Sequence, residues 1–259
     1  MNRRDFLTIA GVTGLAPLGL TATAAESGPG ARDFYELRQY QLETEEQKKG
    51  LDLFMKEAAI PALNRLGVKP VGVFCAEKDL SPAYVLLRHS SLEALATLTQ
   101  RLQGDAEYLS KGAAFLDAPK TAPAYKRVES TLLAAFTGMT ALETPVAGPD
   151  RVFQLRIYES PSVKTGQKKI EMFNTAEIAI FRKVGLHPVF FGECLVGTKM
   201  PNLTYMLGFE SMDEQKANWG KFGASPEWQK LRAIPDYADA KILCGITNLV
   251  LKPAEYSQI

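Results

Sequence analysis

Residues 34–41 (FYELRQYQ) alternate apolar and polar side chains, the period of a strand. From 45 to 66 the period lengthens: Leu51, Phe54, Met55, Ala58, Ala62, Leu63 and Leu66 recur at helical spacing, and Gly67 ends the run as a C-terminal cap. Pro61 inside this run predicts a kink or break, because it lacks an N–H and crowds the preceding turn. Residues 70–76 and 83–89 are rich in Val, Leu, Phe and Tyr, and predict two strands joined by a turn at Asp79-Leu80-Ser81-Pro82. A helical stretch begins at Ser91 and restarts at Asp105, and residues 125–136 close the pattern with a strand.

The pattern then repeats. Adding 118 to Leu37, Arg38, Tyr40, Gly67, Pro70 and Val71 lands on Leu155, Arg156, Tyr158, Gly185, Pro188 and Val189. Further on the offset reads as 121 (Tyr84 to Tyr205, Leu86 to Leu207) and then 120 (Leu92 to Met212, Tyr108 to Trp228). The late helix restarts at Ser225-Pro226-Glu227-Trp228, a good N-cap followed by a good first residue, and 241–252 supplies the closing strand. Each copy therefore predicts β-α-β-β-α-β, the ferredoxin-like arrangement. The copies span 33–141 and 151–259, joined by a Pro- and Gly-bearing linker at 142–150. One such unit leaves a sheet face uncovered, and a second copy in the same chain can cover it. The fold class expected is α+β, two tandem units packed sheet to sheet.

Residues 1–24 break the pattern. Arg3-Arg4 with Phe6-Leu7, a weakly apolar Gly-rich stretch and Ala22-Thr23-Ala24 are similar to a twin-arginine export signal, so a periplasmic or otherwise exported protein is expected. A second apolar segment long enough to span a bilayer is absent, which predicts no stable membrane insertion once the leader is removed. Without the leader the chain carries 28 basic and 28 acidic residues, leaving no electrostatic footprint for nucleic acid. Cys75, Cys194 and Cys244 are too few for a disulfide scaffold. Cys75 and Cys194 lie one position apart in equivalent strands, so a bridge between the copies is conceivable beside the expectation of free thiols.

Tyr-Glu-Leu-Arg-x-Tyr (35–40), Arg65-Leu66-Gly67, Pro70-Val71-Gly72 and Ser225-Pro226-Glu227-Trp228 together resemble the NIPSNAP family of the dimeric α+β barrel superfamily. The resemblance covers both copies. It implies a barrel of two sheets closed within one chain, and an activity that is not well defined. Relatives in the superfamily include cofactor-free monooxygenases and haem proteins, an analogy of fold alone. The second copy departs where Phe190 replaces Gly72, so a perfectly symmetric site is not expected.

Alternation sends Leu37 to one face of its strand and Glu36, Arg38 and Tyr40 to the other, and likewise sets Phe153, Leu155 and Ile157 against Gln154, Arg156 and Tyr158. The apolar set is expected to face the helices and the Glu/Gln-Arg-Tyr set the space between the sheets. An unpaired guanidinium there costs several kcal/mol or more, so Arg38 should pair with Glu36, another acid or a bound anion. Gln154 cannot neutralise Arg156, which makes Arg156 the candidate for a ligand carboxylate or enolate. Both Arg-Tyr pairs could instead be structural, bonding across the barrel.

His187, beside Pro188, could act as a base or haem ligand, or could be a strand-entry residue with a satisfied ring. No companion ligand lies at metal spacing, and no cofactor is otherwise indicated. His89, matched in the repeat with Glu210, reads as a capping or surface residue. Trp219, Phe222 and Trp228 read as core, and no phosphate loop, nucleophile elbow or zinc signature is present.

Three functions follow as expectations. The first is a protein holding a small apolar or anionic ligand between its sheets. The second is a cofactor-free monooxygenase- or isomerase-like enzyme using the same cavity, with Tyr158 or His187 as acid or base. The third is a structural or partner-binding module. Homo-oligomerisation is left open.

Overall fold

Eight antiparallel strands close into a barrel in which each half of the chain supplies four neighbours. The structure, a computed structural model, describes residues 32–76 and 81–259, so the expected leader and Asp79-Leu80 of the expected turn lie outside the described residues. The strands are β1 (Phe34–Gln41), β2 (Val71–Cys75), β3 (Ala83–His89), β4 (Arg127–Ala135), β5 (Val152–Glu159), β6 (His187–Val196), β7 (Asn202–Phe209) and β8 (Gly245–Pro253). Their order round the barrel is β1-β3-β2-β8-β5-β7-β6-β4. Two ferredoxin-like sheets, β4-β1-β3-β2 and β8-β5-β7-β6, therefore meet at two seams. One pairs Phe74 with Pro253 and Cys75 with Lys252; the other runs from Leu132 opposite Val196 to Ala135 opposite Gly192. Gly192 permits the second seam, because a Cβ there would stand 2.7 Å from Leu133 Cβ.

The first unit carries α1 (Glu45–Phe54), a π-helical turn (Met55–Ala59), α2 (Ile60–Arg65), α3 (Leu92–Ala96), α4 (Leu98–Gln103) and α5 (Ala106–Leu116). The second carries α6 (Val163–Met172), a π-helical turn (Phe173–Glu177), α7 (Ile178–Lys183), α8 (Met212–Ala224), α9 (Pro226–Arg232) and α10 (Asp239–Ile242). The matched helices start on side-chain caps, Thr44 and Ser162 at the first, Ser91 and Ser211 at the second, Asp105 and Ser225 at the third. Gly67 and Gly185 end α2 and α7 at φ of 80° and 83°, the conformation a side chain resists. The break expected at Pro61 is instead a π turn ahead of it, with Pro61 in the first turn of α2. Since the second unit makes the same turn with Ala179 at the matched position, Pro61 is not its cause.

Three apolar clusters fill the molecule. Two lie between sheet and helices, one in each unit, and the third, built from both units, fills the barrel axis with Tyr35, Leu37, Phe153, Leu155, Phe190 and Met206 among others. Phe190 meets Tyr35 at 5.0 Å between ring centroids, while the matched Gly72 leaves room for the Phe74 ring and Ile259. The linker is more than a tether: Glu143 N donates to Val189 O, and Val146 is buried in the axial cluster. The closing strand of the second unit begins at Gly245 rather than 241, because 239–242 form α10.

The register corrects three matches read from the sequence. Arg38 lies opposite Val85 and Arg156 opposite Tyr205, so β3 and β7 differ by 120, Tyr84 matches Thr204 and Leu86 matches Met206. By the same register His89 matches Phe209, not Glu210, and is 1% exposed rather than a surface residue. The three cysteines are free thiols, and among the described residues no helix is long and apolar enough to cross a membrane.

Because the axial cluster is shared, truncating it should weaken both units together. Phe153→Ala is expected to cost about 3–5 kcal/mol, read by urea unfolding as a lower midpoint on one cooperative transition.

Candidate functional site

The facing of β1 and β5 is the reverse of the expectation. Tyr35 and Leu37, like Phe153 and Leu155, point to the barrel axis, whereas Tyr40 and Tyr158 belong to the sheet–helix clusters. The physical reason is that both faces of each sheet are covered, so alternation separates two faces without telling which is inner. Eight strands enclose a space that side chains fill, and here apolar ones fill it. Glu36-Arg38-Tyr40 and Gln154-Arg156-Tyr158 thus lie under the helices, and no ligand space exists between the sheets at these positions.

In the first unit the guanidinium is saturated. Arg38 Nε and Nη2 donate to Glu36 Oε1 and Oε2 at 2.7 and 3.0 Å, and Ser130 Oγ donates to Oε1 at 2.8 Å. His89 Nε2 stands 3.5 Å from Glu36 Oε2. Burial alone would raise the Glu36 pKa, but His89, Arg38 and Ser130 outweigh it and hold the carboxyl at about 2.

In the second unit the same position is not neutralised. Gln154 is held away from Arg156: its Oε1 accepts from Trp219 Nε1 at 2.6 Å and Gln215 Nε2 at 3.2 Å, and its Nε2 donates to Asn248 Oδ1 at 2.6 Å. The half-buried Arg156 lies 4.9 Å from the Trp219 ring centroid and 5.3 Å from that of Tyr158, and its Nε has no partner. No described carboxylate forms an ion pair with it. Ring faces supply about 0.5–2 kcal/mol each, which is less than the several kcal/mol that a partly desolvated charge forfeits.

A second cation sits beneath it. Lys169, on α6 and 1% exposed, places Nζ 3.4 Å from both Glu177 Oε2 and Asp239 Oδ1, and 5.5 Å from the Tyr158 ring centroid. Glu177 ends the π turn, the kind of helix distortion frequent at functional sites. Its burial raises its pKa and outweighs the attraction of Lys169. Tyr158 and Tyr205 share a hydroxyl–hydroxyl contact of 3.0 Å, and burial raises both phenols. The cluster thus leaves Arg156 as the cation able to oppose an anion, since Lys169 is shared between Glu177 and Asp239, and Glu177 as the group shifted toward neutral pH.

The chain contains its own control for this cluster. The offset of 118 puts Leu51 where Lys169 is and Ala59 where Glu177 is, and the strand register puts Val85 where Tyr205 is. All three are buried apolar residues of the first unit. The same backbone therefore folds without the charges. Lys169, Glu177 and Tyr205 escaped the sequence reading, although applying the repeat offset along the helices would have exposed the Leu-to-Lys and Ala-to-Glu exchanges.

The other sequence candidates scatter. His187, at the start of β6, faces Glu214 with Nε2 3.3 Å from Oε1, and no described contact joins it to Arg156 or Tyr158. Among the described residues no group of three or more His, Cys, Asp or Glu is placed to hold a metal. Four cavities stand out among the described residues; none is lined by Arg156, Tyr158 or the axial cluster.

With this geometry in place the chain can be set beside known proteins. Residues 153–258 match the NIPSNAP family. The NIPSNAP match thus spans the unit that carries Arg156, Tyr158, Lys169 and Glu177. A solved protein from Fusobacterium nucleatum, named as a candidate monooxygenase, superposes with a TM-score of 0.57 at 8% identity, over 86% of this chain and 93% of its own. A second candidate monooxygenase, from Lactobacillus acidophilus, gives 0.57 at 8% identity over 86% and 94%. A NIPSNAP family protein from Agrobacterium tumefaciens is 20% identical over 45% of this chain and 97% of its own, with a TM-score of 0.38. The first two show the shared barrel fold. No curated protein matches the chain.

Restoring the first unit's residues tests whether the charges stabilise the fold. Lys169→Leu with Glu177→Ala is expected to leave stability unchanged or raise it by about 1–4 kcal/mol, whereas Lys169→Leu alone should lose about 3–5 kcal/mol. The single variant's loss should grow from about pH 5 to about pH 8, because a carboxyl whose folded pKa is raised loses its contribution as pH rises through that value. Urea unfolding at the two pH values reads both.

Proposed function

We propose that the protein is a small-molecule binder of the NIPSNAP type whose second unit takes an anionic ligand, a carboxylate or enolate, on the solvent-facing side of Arg156 beside Trp219. One observation carries the reading: among the described residues no carboxylate stands at ion-pair distance from Arg156, which feels Glu177 only through space and whose Nε has no acceptor, whereas its counterpart Arg38 is held at two points by Glu36. A carboxylate supplies the missing two-point acceptor, and the Trp219 face offers apolar contact to whatever ring or chain bears it. Export is part of this proposal, and the likeness of residues 1–24 to a twin-arginine signal is what supports it.

A second reading is an enzyme that removes a proton from a ligand so held. Glu177, with its raised pKa, favours it, because a carboxyl shifted toward neutral pH exchanges protons more effectively. The proton would pass from the carbon acid to the deprotonated Glu177, and Arg156 would stabilise the resulting enolate.

Benzoate serves as the probe. Titration calorimetry is expected to show binding to the wild type and a loss of about tenfold or more in Arg156→Gln, the scale of one charge-assisted interaction. Equal affinity in the two proteins would refute the assignment.

A further inference from the structure

We propose that the first unit holds a second ligand site of opposite chemistry, a partly enclosed pocket for a neutral aromatic molecule of one or two rings. A cavity of about 170 Å³ lies between β1 and β3 on one side and the helices on the other, walled by Tyr40, Phe54, Tyr108, Phe115 and Tyr125, with Arg38 at one end. The space exists because Ala59 and Val85 line it where the second unit has Glu177 and Tyr205. Protein interiors are close-packed, so a void of this size beside a filled counterpart is a departure that a ligand would explain. An apolar cavity of about 150 Å³ is large enough to stay dry and take up a benzene-sized molecule.

Three features set the ligand's chemistry. Five rings line it beside aliphatic side chains and form a continuous set: Tyr40 meets Tyr125 at 5.7 Å, Phe115 meets Tyr125 at 5.6 Å and Phe54 meets Tyr108 at 5.8 Å. The charge of Arg38 is already neutralised by Glu36, so an anion gains little and a neutral molecule loses nothing. Burial raises the Tyr40 and Tyr108 phenols, which therefore stay neutral hydroxyls able to bond a hydroxyl, carbonyl or ring N–H.

The pocket also has an approach. Phe54 and Phe115, stacked at 4.2 Å between centroids, form a wall shared with a groove of about 440 Å³ that runs along α1, α5 and residues 121–124. Gly112 lets Phe54 lie against α5, since a Cβ there would stand 3.0 Å from the Phe54 ring.

Indole is the neutral probe and benzoate the charged one, both titrated into the full chain. Indole is expected to bind the wild type, and Ala59→Leu, which fills the pocket, should weaken it about tenfold or more while leaving benzoate binding unchanged. Val85→Phe fills the same space from the strand and decides the matter if Ala59→Leu does not fold. Failure of indole to bind the wild type, or wild-type affinity in the folded variants, overturns the proposal. Because the benzoate arm reads Arg156 independently, either site can fail without the other.

Discussion

Closure of the barrel is the constraint on which the rest depends. Two four-stranded sheets joined at β2·β8 and β4·β6 share one inner space, and Tyr35, Leu37, Phe153, Leu155, Phe190 and Met206 occupy it. A charge placed there would have to be desolvated on all sides, at a cost comparable to the stability of a whole domain. Polar chemistry is consequently displaced to the two outer layers, where helices cover the sheets incompletely and Arg156 keeps contact with solvent.

Those two layers start from the same scaffold and part company at a few positions. Caps, π turns and left-handed glycines coincide. Leu51, Ala59 and Val85 make the first layer apolar and leave a cavity; Lys169, Glu177 and Tyr205 make the second charged. A buried ion pair is weak evidence for stability, since apolar replacements are often neutral or better. The long 3.4 Å contacts of Lys169 do not argue for an optimised structural bridge. The first unit makes the same caps and π turn with apolar residues at these positions, so folding does not call for the charges.

Most of the architecture could be read from the sequence because it is written locally. Strand alternation, cap residues and the 118-residue offset report on backbone geometry, and the structure keeps nearly all the elements they predicted. The inner face could not be read, because Leu37 and Tyr40 are both buried and nothing local distinguishes barrel from helix contact. His89 was misplaced for a related reason: a one-residue drift in β3 moves a residue to the other face. Glu36 against Gln154 did mark the asymmetry at Arg156. The buried Lys169 and Glu177 went unnoticed because charged residues on an amphipathic helix are ordinarily solvated.

Side-chain ¹⁵N spectra of the arginines test the central claim most directly, since Arg156 Nε–H has no acceptor and Arg38 Nε–H already has Glu36. On adding benzoate, the account predicts that the Arg156 Nε–H resonance moves while the Arg38 resonance and the methyl groups of Leu37 and Leu155 stay in place. A shift at the axial leucines with Arg156 unmoved would place the ligand between the sheets and contradict it.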